Sequence, residues 1–109
     1  MPHYLYQMSY SRDAVKAMLA NPTDREAAAR EITEAAGGKL KGFYFTFGTS
    51  DVLVIVEAPS DEAVAAISLT VAASGAASHG AITKLLTAQE GMEAMKLAGK
   101  AMGSYRPPA

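Results

Sequence analysis

The chain has 109 residues, half of them hydrophobic and 19% charged, a composition that excludes a disordered segment. Lys plus Arg number 10 against 11 Asp plus Glu, so the net charge of −1 lacks the basic footprint of a nucleic-acid binder. There is no cysteine, which removes disulfides, thiol nucleophiles and thiolate metal sites.

The length predicts one domain over 1–109 with a self-sufficient core. At the N-terminus, Met1-Pro2-His3-Tyr4 has no basic region leading into an apolar run, so no secretory leader is expected. Residues 3–9 predict a strand, with Tyr4, Tyr6 and Met8 on one face and Leu5 on the other. A helix is expected from Ser11, with Val15, Met18 and Leu19 as its apolar stripe. Pro22 should interrupt it, because proline disfavours helix at the preceding residue. Thr23 and Glu26 have the spacing of a capping box for a second helix, whose stripe is Ala28, Ile32 and Ala35 or Ala36. Gly37-Gly38 should end that helix in a left-handed turn.

Residues 39–47 predict a second strand, with Phe43, Phe45 and Phe47 beside the stems of Lys39 and Lys41, and with Leu40, Tyr44 and Thr46 opposite. Gly48-Thr49-Ser50-Asp51 is turn chemistry, and 52–57 is a third strand stopped by Pro59, so the two strands form an antiparallel hairpin. The run Val52–Val56 is the longest apolar stretch and far too short to span a bilayer, so no membrane partner is expected. Ser60 should cap a third helix with Asp61 and Glu62 in its first turn, and Val64, Ile67 and Val71 as its core stripe. Gly75 ends it, and 79–86 is a fourth strand. Thr87 and Glu90 form a second capping box for a last helix over about 88–103, lined by Met92, Met95 and Met102, with a tail over 104–109.

The order strand, helix, strand, strand, helix, strand with an extra C-terminal helix predicts an α+β, ferredoxin-like βαββαβ sandwich. Both main helices then cover one sheet face, and the other face should alternate with polar residues. Val52-Leu53-Val54-Ile55-Val56 is instead apolar on both faces, so a cover is expected. Either the Met-lined last helix folds back on the sheet, or a second copy pairs with it as a homodimer or a higher assembly of dimers.

Few residues suggest chemistry. Asp51, at the mouth of the third strand, is a candidate acid, base or hydrogen-bond acceptor, against the plainer role of capping its own turn. His79 is a candidate general base, but one histidine without nearby partners makes no metal site. No metal or cofactor is expected. Tyr6, Phe43, Tyr44, Phe45, Gly48, Ser50 and Asp51 are candidate contacts for a small molecule at the sheet face, with Gly48 assigned to backbone conformation. The cysteine-free composition fits a cytoplasmic protein.

The segment GGKLKGFYFTFG over 37–48 runs directly into TSDVLVIVEAPSDEA over 49–63, and the pair resembles the GYD domain family. Gly48 and Asp51 match its Gly-Tyr-Asp-type motif, with Ser50 in the place of the usual tyrosine. The resemblance implies a ferredoxin-like fold paired as a dimeric α/β barrel, and no particular reaction. The functional expectation is an oligomeric small-molecule-binding or interaction module using the sheet face. The alternative is a small cofactor-independent oxygenase- or isomerase-like enzyme with His79, Asp51 or a tyrosine in a closed pocket at the subunit interface.

Overall fold

In the computed structural model, which describes residues 1–109, the first strand obeys its alternation. β1 (His3–Tyr10) buries Tyr4, Tyr6 and Met8 on one face and leaves Leu5 and Gln7 half-buried on the other. β3 (Val52–Glu57) does the same with Val52, Val54 and Val56 against Leu53 and Ile55. β1 lies between β3 and β4 (Ala77–Leu85), while β2 (Lys39–Phe45) forms the far edge, giving the order β2-β3-β1-β4 with every neighbour antiparallel. Tyr6 lies opposite Val54 on one side and Ile82 on the other, so residues of matching level share a face across the sheet. This four-stranded α+β arrangement is compatible with the ferredoxin-like fold.

The helices follow their caps. α1 (Arg12–Ala20) starts where the Ser11 hydroxyl accepts from the Ala14 N–H at 3.1 Å, and it ends before Pro22. Its expected stripe does not become core: Val15 and Leu19 are exposed and α1 buries no residue. α2 (Arg25–Ala35) is capped by Asp24, whose carboxylate accepts from the Ala27 N–H at 3.1 Å. The Thr23–Glu26 box does not form. Asp24 is itself a strong cap one residue further on, and Glu26 turns instead to Arg30 at 3.2 Å. Gly37 closes α2 at φ +86°, and a Cβ on the adjoining Gly38 would meet the Glu57 carbonyl oxygen at 2.4 Å, so only glycine lets this turn touch the sheet. α3 (Asp61–Ala73) begins at Ser60, whose hydroxyl accepts from the Ala63 N–H at 3.2 Å, and ends at Gly75 with φ +79°.

The core is the face carrying Tyr4, Tyr6, Met8, Val52, Val54 and Val56, closed by Ala58 and Val64. In β2 the pairing shifts between Leu40 and Gly42, which leaves Lys41 as an extra residue in the ladder. Leu40, Phe43 and Phe45 therefore oppose Val56, Val54 and Val52 on the helix-covered face, while Lys39 and Tyr44 oppose Glu57 and Leu53 on the open one. That reverses the expected grouping of the phenylalanines with Lys39 and Lys41. Phe47 lies beyond the end of β2 and is fully exposed.

α4 (Ala88–Ala101) is opened by the expected box, with the Glu90 N–H donating to the Thr87 hydroxyl at 3.1 Å and the Thr87 N–H donating to Glu90 at 2.9 Å. A short 3-10 turn over Met102–Ser104 follows. α4 buries no residue and packs substantially against neither the sheet nor another α-helix. The chain extends 59 × 34 × 22 Å, and its radius of gyration of 17.5 Å exceeds the roughly 13 Å of a compact chain of this length. Folding of the last helix back over the open sheet face does not occur. No helix is long and apolar enough to cross a membrane.

Candidate functional site

An apolar cavity lies on the helix-covered side. α2 and α3 stand apart over β1 and β3, and a space of about 230 Å³ opens between them. Its walls are Ala28, Ala29 and Ile32 from α2 and Ile67 and Val71 from α3, with Tyr6 and Phe43 on the floor. The alanines set the gap, because side chains this short cannot reach across to α3. Of 19 lining residues 14 are hydrophobic, so the space favours an apolar occupant over water. A dry, closed void of this size would weaken the fold by about 5 kcal/mol at about 24 cal/mol per Å³, a large part of a typical stability of about 5–15 kcal/mol.

Some of the polar groups along the walls are committed. The Thr33 hydroxyl donates to the Ala29 carbonyl at 2.7 Å, that of Thr70 to Ala66 at 2.8 Å and that of Ser74 to Val71 at 2.6 Å. The hydroxyls of Tyr6, Tyr10 and Ser68 make no hydrogen bond within the chain, and Arg25 is set apart by the burial of its unpaired nitrogen. It is the first residue of α2, its Nε is buried with no hydrogen-bond partner, and no carboxylate pairs with its guanidinium. A second, more open cleft lies outside, under α1, and Tyr10, Arg25, Ser74 and Ala76 line both spaces. These four residues mark where the two spaces adjoin.

Of the residues singled out in the sequence, Tyr6 and Phe43 line this cavity, and Tyr44, Phe45, Gly48, Ser50, Asp51 and His79 do not. Asp51 is built into the backbone. Its carboxylate accepts from the Tyr10 N–H at 3.0 Å, its own N–H donates to the Met8 carbonyl at 2.9 Å, and its carbonyl accepts from the Thr46 N–H at 2.9 Å. Together with the Thr46 hydroxyl on the Ser50 carbonyl at 2.6 Å, these bonds staple the 48–51 turn to the end of β1. Gly48 does not adopt a left-handed φ, and a Cβ there would meet nothing within 4 Å, so the backbone reason expected for it is absent. His79 is exposed on β4 opposite Ser9, on the other flank of β1 from Asp51, and makes no hydrogen bond or ion pair. The structure thus brings Asp51 and His79 to the same end of β1 without joining them. The catalytic alternative calls for His79, Asp51 or a tyrosine in one closed pocket; of these the cavity is lined by Tyr6 and Tyr10 and by neither His79 nor Asp51. No group of three or more His, Asp or Glu side chains converges.

The opposite end of the sheet carries a polar cluster that periodicity did not reveal. The buried Tyr4 hydroxyl donates to Asp61, and Lys84 reaches the same carboxylate at 3.1 Å while lying 5.9 Å from the Tyr4 ring centre. The hydrogen bond to Asp61, with burial and the charges of Asp61 and Glu62, pushes the Tyr4 phenol up to about 12. The bonds from Tyr4 and then Lys84 hold Asp61 below the usual carboxylate range. Thr87, through its backbone and side chain, does the same for Glu90. On the open face His3 pairs with Glu57 at 2.9 Å. The cluster anchors the start of α3 to β1 and β4. The available signal was Lys84, a charged residue in a strand at the level of Tyr4.

These features define a small α+β domain with an antiparallel sheet, helices on one face and an apolar cavity beneath them. The family model for the GYD domain matches residues 4–95, and the chain belongs to that family. No curated protein matches the chain.

Proposed function

We propose that this GYD-domain protein is a homo-oligomeric module that holds an apolar small molecule in the cavity between α2, α3 and the sheet. The observation that carries the reading is the cavity itself, a partly open apolar space between the two helices and the sheet. The site lies beneath the helices rather than on the open face. The open face is assigned to self-association: Leu5 opposes Ile55 and Tyr44 opposes Leu53, an apolar band in which Tyr44 is 63% exposed. Pairing two such faces would bury that band and complete a dimeric α/β barrel. Unpacked α4 adds Met92, Met95 and Met102, all exposed, as a second surface for the partner copy.

Native mass spectrometry of gently purified protein, repeated under denaturing conditions, tests both parts. An even-numbered assembly carrying extra mass that is lost on denaturation is the expected result. A bare monomer would overturn the self-association. An assembly without added mass, with no uptake of ethylbenzene or another small apolar probe, would overturn the cavity reading.

A further inference from the structure

The cavity has one chemically distinct end. Its walls are mostly hydrocarbon, and of its hydroxyls those on Thr33, Thr70 and Ser74 already donate to helix carbonyls while those of Tyr6, Tyr10 and Ser68 do not. Arg25, at the mouth, presents the only buried side-chain nitrogen or oxygen without a partner. A guanidinium always carries its charge, and leaving such a group half withdrawn from water and unpaired is unfavourable. Its planar fork fits a carboxylate through two parallel hydrogen bonds. Asp13 lines the outer cleft with Arg25 but does not pair with it, so that carboxylate leaves the position open.

We infer that the cavity binds a small carboxylic acid with an apolar body, the body lodged between Ile32 and Val71 and the carboxylate held by Arg25 at the mouth. This rests on the cavity reading above and names its ligand class. The volume of about 230 Å³ is about one and a half times the roughly 150 Å³ that accommodates benzene, which suits an aryl or branched-alkyl acid of about nine or ten heavy atoms. A long fatty acyl chain exceeds it. Inorganic phosphate, with no apolar portion, would leave the walls unfilled and bind weakly.

Calorimetric titration of the full chain with phenylacetate, its neutral isostere phenylacetamide, ethylbenzene and inorganic phosphate tests the assignment. Phenylacetate should bind about 10- to 100-fold more tightly than phenylacetamide, the range expected for hydrogen bonds to a charged group. Arg25→Met, which keeps an apolar stem, should remove that preference and leave ethylbenzene binding within about twofold. Arg25→Lys should restore part of it. Circular dichroism establishes that each variant is folded, and if Arg25→Met is not, the contrast between Arg25→Lys and the natural chain decides. Asp13→Asn should leave phenylacetate binding unchanged or improve it. Equal affinity for acid and amide in the natural chain would overturn the carboxylate assignment while sparing the cavity reading. Arg25-dependent binding of phosphate without phenylacetate would also overturn it. If none of the three organic probes binds, and Ala29→Phe, which fills the space, changes nothing, the cavity reading falls as well.

Discussion

Two regions of this chain are built to different standards. Up to Val64 the chain supplies every buried residue of the protein; from Ala65 onward none is buried. β1 and β3 sit in the middle of the sheet, each with a neighbour on both sides and helices above. β4 has a neighbour on one side only, and from Ser78 to the end of the chain every residue but Leu85 and Gly91 is exposed. Yet the second region is not polar. Ile82, Leu86, Met92, Met95, Leu97 and Met102 are all large, apolar and exposed. Local rules are obeyed in α4, with a complete capping box, yet the helix buries none of its residues. The difference teaches that a segment can be fully specified as secondary structure without its apolar side chains being buried within the chain.

The sharpest break of this contrast is made in the core. Tyr6→Ala removes a buried aromatic ring from the centre of the sheet and should lower the unfolding free energy by about 3–5 kcal/mol in urea at fixed protein concentration. A loss below about 1 kcal/mol would mean that the cavity beside it already leaves Tyr6 loosely held.

A matched pair of caps sharpens the comparison further. Ser60 and Thr87 perform the same task, at α3 and α4 respectively. Ser60→Ala should reduce global stability by about 1 kcal/mol, because α3 is packed on the sheet. Thr87→Ala should raise amide hydrogen exchange within α4 and leave the urea midpoint unmoved in dilute protein. Equal shifts in the midpoint would show that α4 unfolds together with the core, and the division into two regions would fail.

The smallest expected effect is optical. Tyr4 keeps its proton up to about pH 12 when folded, against an ordinary value of 10.0. The folded state therefore binds this proton more tightly than the unfolded one. Its contribution is complete below pH 10.0 and is lost as pH rises towards about 12. Asp61 runs the other way: its folded value lies below 3.8, so its contribution is present above that value and is lost as pH falls through the folded one. Phenolate absorbance should show one tyrosine ionising at about pH 12, and Asp61→Asn should bring that step down towards 10.0. A phenolate profile that Asp61→Asn leaves unchanged would remove the Tyr4–Asp61 contact from the account.

Much of the sheet was legible because alternation is a property of neighbouring residues. Tyr4, Tyr6 and Met8, like Val52, Val54 and Val56, declare a buried face without reference to anything distant. One extra residue at Lys41 was enough to reverse the reading of β2, since a shift of one position exchanges the two faces. The cap of α2 moved from Thr23 to Asp24 because both side chains are competent and the choice depends on how the chain leaves Pro22. Arg25 and the cavity were not legible at all. They arise where α2 and α3, distant in sequence, face each other across the sheet, and nothing in Ala28 or Ala29 alone announces a gap. The methionine row on α4 was visible, but an amphipathic pattern shows that a helix has an apolar side, not what meets it.

The register of β1 against β4 carries a mechanical consequence. His3 at the start of β1 lies opposite Leu85 at the end of β4, so the two strands are held with their outer ends side by side. Hydrogen bonds in an antiparallel pair run across the strands, in line with a force that pulls those ends apart. Such a load opens the ladder one rung at a time instead of shearing all rungs together. A protein-unfolding machine drawing on the C-terminal tail would meet α4, which resists with no packing of its own. It would then peel β4 from β1 like a zip, leaving the β2-β3-β1 portion as the first obstacle of any strength.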